Sequence, residues 1–149
     1  ITGALFLAVE DRGRGAFLNG RRLRVSKTAH VADSLFITGF PIYGRTESLD
    51  RHLARFKSFL QACHGVRRSG SAALDMAWVA AGRADGFWES GLSPWDVAAG
   101  WLLVSEAGGK VSDYAGRPWK DGPALGSETL ASNGRVHAGM LKILKGKAR

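Results

Sequence analysis

The chain has 149 residues, 45% apolar and 23% charged, a balance that excludes a disordered polymer and allows one folded domain with a real core. Its one cysteine, Cys63, excludes an internal disulfide and fits a reducing, cytoplasmic compartment. The most apolar run, Val97 to Val104, is too short to cross a bilayer, so no membrane role is expected. A net charge of +8 suggests attraction to phosphates, nucleic acid or acidic partners, without identifying which.

Taken in chain order, Leu5 to Glu10 reads as a strand, Gly13-Arg14-Gly15 as a turn, and Ala16 to Leu18 as the return strand of a hairpin. Asn19-Gly20 is a second turn signal. Arg21 to Ser26 alternates basic residues with Leu23 and Val25, as an exposed edge strand would. Ser34 to Phe40 reads as a more buried strand ended by Pro41. Thr46 can cap a helix reaching about His64, with Leu49, Leu53, Phe56, Leu60 and Cys63 on one face. Val66 to Ser69 is short and extended. A second helix runs from Ser71 to Ala81, with Leu74, Trp78 and Ala81 on one face and Gly82 as its stop.

Asp85 to Glu89 reads as a strand. Pro94, after Ser93, opens a third helix that runs to Ala107 and ends at Gly108-Gly109. It is apolar almost all round, which predicts burial within a layered domain. Lys110 to Tyr114 is a strand, 116–126 a polar loop, and Leu130 to Ser132 a last short strand. Asn133 caps a closing helix from Gly134 to about Leu144. Strands and helices alternate, so the fold class is α/β and layered. Residue 1 is Ile and the chain opens directly in a strand-like run, which sets the expectation that natural sequence lies upstream.

Three places could carry chemistry. Asp96 lies in the first turn of the third helix, where free N–H groups and the helix dipole stabilise a carboxylate. Facing a cavity, it would be a hard-oxygen ligand for Mg²⁺; facing Ser93, it would complete a capping box. Arg67-Arg68-Ser69-Gly70-Ser71-Ala72-Ala73 places small residues at a helix start, which either opens backbone N–H groups to a phosphate or hydroxyl or makes a tight turn capped by Ser71. Glu89 ends a strand just before Gly91, where a side chain reaches either a cleft or water. His30, His52, His64 and His137 lack metal-ligand spacing.

Together these segments resemble the inositol monophosphatase family over nearly the whole chain. The resemblance rests on Gly15-Ala16-Phe17-Leu18-Asn19-Gly20, on Gly70-Ser71-Ala72-Ala73-Leu74-Asp75, and on Ala84-Asp85-Gly86-Phe87-Trp88-Glu89. Pro94-Trp95-Asp96-Val97-Ala98-Ala99-Gly100 and Glu106-Ala107-Gly108-Gly109 complete it. It implies a layered αβαβα sandwich of which residues 1–149 are the carboxyl-terminal part. It also implies Mg²⁺-dependent hydrolysis of an inositol phosphate or related sugar phosphate. Asp96 then matches a catalytic metal ligand and Glu89 an acid that contacts substrate hydroxyls. Gly70, Ser71 and Ala72 match the backbone beside the substrate ring, and Arg67 or Arg68 a contact to substrate or a neighbouring subunit.

The family's earlier signature, of Asp-Pro-Leu-Asp-Gly-Thr type, and its upstream glutamate have no counterpart here. Most metal ligands are therefore missing, and the isolated chain is expected to be inactive. The resemblance further implies a homodimer. A related bacterial branch works with the antitermination machinery of RNA polymerase, so RNA or transcription-factor contacts are an alternative role. Histidinol-phosphate and nucleotide-phosphate phosphatases are alternative activities.

Overall fold

The computed structural model describes residues 6–8, 13–40, 49–119 and 125–146. The ends of the first expected strand, Pro41, the Thr46 cap and the last residues of the basic tail lie outside them. Phe6–Ala8 (β1), Ala16–Leu18 (β2) and Arg21–Arg22 (β3) form a small antiparallel sheet. The Asn19-Gly20 turn between β2 and β3 has φ of 50° and 76°, the left-handed pair that a two-residue hairpin needs. The strand after that turn is only two residues long, shorter than the alternation from Arg21 to Ser26 predicts. Beyond Leu23 the chain leaves the sheet, and Val25 N–H donates instead to Ala107 O at 3.2 Å.

The main sheet has five strands: Leu35–Thr38 (β4), Gly65–Arg67 (β5), Gly86–Ser90 (β6), Lys110–Ser112 (β7) and Glu128–Ser132 (β8). Their order is β5-β4-β6-β8-β7; β4 pairs in parallel with β5 and β6, while β8 runs antiparallel to β6 and β7. Strand period divides its side chains between two cores. Ile37, Phe87 and Ala131 face one core. Their neighbours Phe36, Trp88 and Leu130 face the other.

The first core is closed by helices Ala72–Ala80 (α2) and Pro94–Glu106 (α3), and α3 also touches β1 and β2. The second is closed by Leu49–Ala62 (α1) and His137–Leu144 (α4). The described layers are therefore small sheet, helix pair, main sheet, helix pair. This is the mixed, layered α/β arrangement expected, and the described residues form four layers of it.

The helices bury different faces from those the spacing predicts. On α1 the stripe is His52, Phe56, Phe59 and Cys63, while Leu49, Leu53 and Leu60 are exposed. The aromatic packing decides this rotation, because Phe59 stacks on Trp88 of the sheet at 3.7 Å between ring centroids. On α2 the buried residues are Asp75, Met76, Ala77, Val79 and Ala80, whereas Leu74 and Trp78 are only half-buried. That helix packs against both the main sheet and its neighbour α3, so it has two inner sides instead of one. A Cβ at Gly100 of α3 would sit 2.6 Å from Cβ of Met76, which shows how closely the two helices approach.

Helix α3 is not enclosed all round. Val97, Gly100, Leu103 and Val104 are buried, but Trp95 is 80% exposed and Ala98 and Ala99 are also exposed. Helix α4 begins at His137, three residues later than expected. Asn133 still caps the turn before it, its Oδ1 accepting from the N–H groups of Arg135 and Val136 at 3.0 and 3.1 Å.

Two polar fastenings hold the layers in register. The Glu106 carboxylate, at the end of α3, accepts from the N–H groups of Gly13 and Gly15, both at 2.8 Å, and so ties down the β1–β2 turn. Buried Asp85 accepts from Leu35 N–H at 2.7 Å and from Ser26 Oγ at 2.5 Å, and Asn133 Nδ2 donates to the same Ser26 Oγ at 2.8 Å.

Candidate functional site

The amino-terminal ends of α2 and α3 and the carboxyl-terminal ends of β4 and β6 meet at one cavity of about 410 Å³. It is lined by Gly39 and Phe40 after β4, by Arg68 and 70–73 before and within α2, by Glu89 of β6, and by Leu92 and Asp96 around the start of α3. Of the residues singled out from the sequence, Asp96, Glu89, Gly70, Ser71 and Ala72 all line it. Arg67 does not. It lies on edge strand β5, exposed, with its guanidinium donating to the carbonyl of Val66 at 3.1 Å. Its neighbour Arg68 lines the cavity instead, because successive residues of an extended segment face opposite sides.

Asp96 has the capping contact that its spacing allows. Ser93 N–H donates to its Oδ2 at 2.9 Å. That bond holds one carboxylate oxygen and leaves Oδ1 for a ligand in the cavity. The capping and cavity-facing readings of Asp96 therefore hold together.

Glu89 is buried, and burial is the main reason its carboxyl is pushed up to about 7. The negative charges of Asp75 and Asp96 push it the same way, and Arg68 opposes them. Its seat depends on Gly39. A Cβ at position 39 would overlap the Glu89 carboxyl group, so only glycine leaves room for the side chain.

At the start of α2, Ser71 caps the helix, its Oγ accepting from Leu74 N–H at 3.4 Å, and Gly70 takes φ of 95°. Ala72 and Ala73, the first two residues of the helix, line the cavity, and helix geometry leaves their N–H groups without a partner inside the helix. Behind this turn lies Asp75, fully buried. Its Oδ1 accepts a hydrogen bond from Ser69 Oγ, and burial pushes its carboxyl up against the lowering effects of Ser69 and Arg68. Gly39, Phe40, Leu92 and Asp75 were not singled out from the sequence. No sequence signal marked Asp75, because the spacing put the inner face of α2 on Leu74, Trp78 and Ala81.

The arrangement sets the Asp96 carboxylate, the buried Glu89 carboxyl, two helix amino termini and one guanidinium around a cavity of mixed polar and apolar lining. It can hold an anion and hydroxyl groups at once. Among the described residues no group of three His, Cys, Asp or Glu converges closely enough to hold a metal ion by itself. No helix of the described residues is long and apolar enough to cross a membrane.

Residues 1–148 match the model of the inositol monophosphatase family. The chain is 49% identical over 136 residues to the Nus factor SuhB of Pseudomonas aeruginosa, which covers 91% of this chain and 46% of that protein. It is 47% identical over 133 residues to the inositol-1-monophosphatase of Mesorhizobium japonicum, with 89% and 46% covered. Among solved structures it is similar to the inositol monophosphatase from Anabaena, with a TM-score of 0.82, 42% identity, and 96% and 57% of the two chains covered. It is likewise similar to the suppressor protein suhB from Bartonella henselae, with a TM-score of 0.86, 39% identity, and 97% and 53% covered. The chain spans about half the length of the curated relatives it matches. With the fold, the cavity and these matches in agreement, the chain belongs to the inositol monophosphatase family.

Proposed function

We propose that this chain forms the substrate-side wall of a phosphate monoester hydrolase that acts, with Mg²⁺, on an inositol phosphate or a related sugar phosphate. The observation that carries this reading is the convergence of Asp96, Glu89 and the start of α2 on one cavity. The residues fit a share of a divalent-cation site. Asp96 offers one hard oxygen, and a firm Mg²⁺ site needs further oxygen ligands beyond those described here. When bound, such a cation neutralises phosphate charge and lowers the pKa of a water molecule.

This chain's own residues do the rest. Ser93 N–H aims Asp96 by holding one of its oxygens. Glu89 meets the hydroxyl groups of the alcohol part, accepting a hydrogen bond when ionised and donating one when protonated. The N–H groups of Ala72 and Ala73 donate to the same part of the ligand, with Gly70 and Ser71 shaping the turn before them. Arg68, in place of Arg67, offsets the negative charge of the carboxylates.

The test uses the full-length protein that contains this chain. Asp96→Asn should reduce Mg²⁺-dependent hydrolysis of inositol phosphate at least 100-fold while leaving the circular dichroism spectrum and unfolding midpoint intact. The 149-residue chain alone should show no turnover. Retained activity in the variant, or turnover by the chain alone, refutes the assignment.

A second reading is a role in transcription. It is favoured by the similarity to proteins named Nus factor SuhB and by the exposed basic residues Arg21, Arg22 and Arg24. If these three residues hold RNA, affinity should fall between 50 and 200 mM salt by roughly 20- to 40-fold, for about three phosphate contacts. Salt-independent binding would exclude that mode. A homodimer is compatible with both readings.

A further inference from the structure

Asp75 is the one buried carboxylate beside the cavity that the proposed reaction leaves without a task. It lies in the first turns of α2, fully buried, and its Oδ2 has no hydrogen-bond partner. A buried polar atom left unpaired costs about 1–3 kcal/mol, so its retention calls for a reason. The other oxygen accepts from Ser69 Oγ, one residue before the left-handed turn at Gly70. Arg68 folds over that same turn, since a Cβ at Gly70 would stand 3.0 Å from its Nη1. The Arg68 guanidinium is attracted by both Asp75 and Glu89. Asp75 thus holds the segment 68–71 from behind, by a hydrogen bond to one residue and by charge to another. The opposite side of that segment forms the cavity wall.

We propose that Asp75 is a positioning residue: through Ser69 and Arg68 it fixes the 68–73 turn in the shape that receives the polyol part of the substrate. The proposal rests on the polyol-phosphate reading above and deepens it, because it separates recognition of the alcohol from recognition of the phosphate. A wall that grips hydroxyl groups matters for inositol phosphate. It matters little for an aryl phosphate, which has no hydroxyl groups to grip.

The experiment compares inositol 1-phosphate with 4-nitrophenyl phosphate in the full-length protein. Asp75→Ala should lower the ratio of the two kcat/KM values about tenfold, chiefly through KM for the inositol ester. Asp75→Asn, which keeps an acceptor for Ser69, should restore the ratio to within about threefold. Ser69→Ala makes the same break from the exposed side of the turn and should lower the ratio in the same direction without touching the helix interior. Hydrogen exchange supplies a readout independent of turnover: the amides of 69–73 should exchange at least tenfold faster in Asp75→Ala and in Ser69→Ala.

Equal loss on both esters overturns the proposal, as does unchanged exchange in 69–73. If the unaltered protein hydrolyses neither ester, the phosphatase reading fails. The exchange rates then decide separately whether Asp75 holds the turn.

Discussion

His137 and Glu89 give the protein two opposed proton switches, and removing either one exposes the other. His137 is buried between two hydroxyl groups, with Ser112 Oγ 2.9 Å from Nε2 and Ser132 Oγ 2.8 Å from Nδ1. Burial, helped by the positive charge of Lys110, pulls its pKa from 6.5 down to about 4. Between those values the unfolded chain holds a proton that the folded one lacks, so His137 makes stability rise with pH. Glu89 does the reverse. Its carboxyl moves from 4.5 up to about 7, so the folded state holds the extra proton and stability falls as pH rises through that window. One proton of difference changes stability by about 1.4 kcal/mol per pH unit, so each group contributes about 3 kcal/mol across its window.

The two effects overlap between pH 4.5 and 6.5 and largely cancel there. The assay is urea unfolding of the full-length protein at pH 4.5, 5.5, 6.5 and 7.5, without metal or ligand. Relative to the unaltered protein, His137→Gln should lose stability steadily as pH rises. Glu89→Gln should gain over the same range, ending more stable at neutral pH by up to about 3 kcal/mol. Profiles that run parallel to the unaltered protein would show that neither group changes its proton affinity on folding, and the reasoning from burial would be wrong.

Two further expectations follow from particular contacts. Gly39→Ala should push the Glu89 carboxyl out of its seat, raising KM for inositol phosphate about tenfold at a stability cost of about 1–3 kcal/mol; steady-state kinetics beside thermal unfolding checks both, and an unchanged KM would show that Glu89 does not need that seat. Asp85→Ala should strand Leu35 N–H and the Ser26 hydroxyl and cost about 3 kcal/mol. Adding Ser26→Ala should cost little more, because the two residues act as one unit, and additive losses in urea midpoints would refute the coupling.

Helix starts and turns were legible because they depend on local chemistry. Ser71 and Ser93 stand where backbone N–H groups need partners, Pro94 fits a first helical turn, and Asn19-Gly20 tolerates left-handed φ. The cavity-lining segments could be read for the same reason, since Gly70 to Ala72 and Asp96 belong to those helix starts. Helix rotation was not legible. Leucine spacing on α1 pointed to Leu49, Leu53 and Leu60, but the stacking of Phe59 on Trp88 turned the helix away from them. Apolar residues all round α3 suggested enclosure, yet its outer side, with Trp95, is open.

The site divides in the same way. Asp96, Glu89 and the small residues before α2 could be named from the chain alone, together with the family whose pattern they follow. Their meeting in one cavity was decided by the sheet order, which brings β4 beside β6 and sets α2 and α3 over the same edge. Only that assembly selects Arg68 over Arg67, makes Gly39 a condition for Glu89, and buries Asp75 behind the turn. Local sequence determines where each element starts, because capping and turn chemistry act over a few residues. Which faces meet, and how far a buried carboxyl shifts its proton affinity, depends on residues far apart in the chain and is settled only when the layers close.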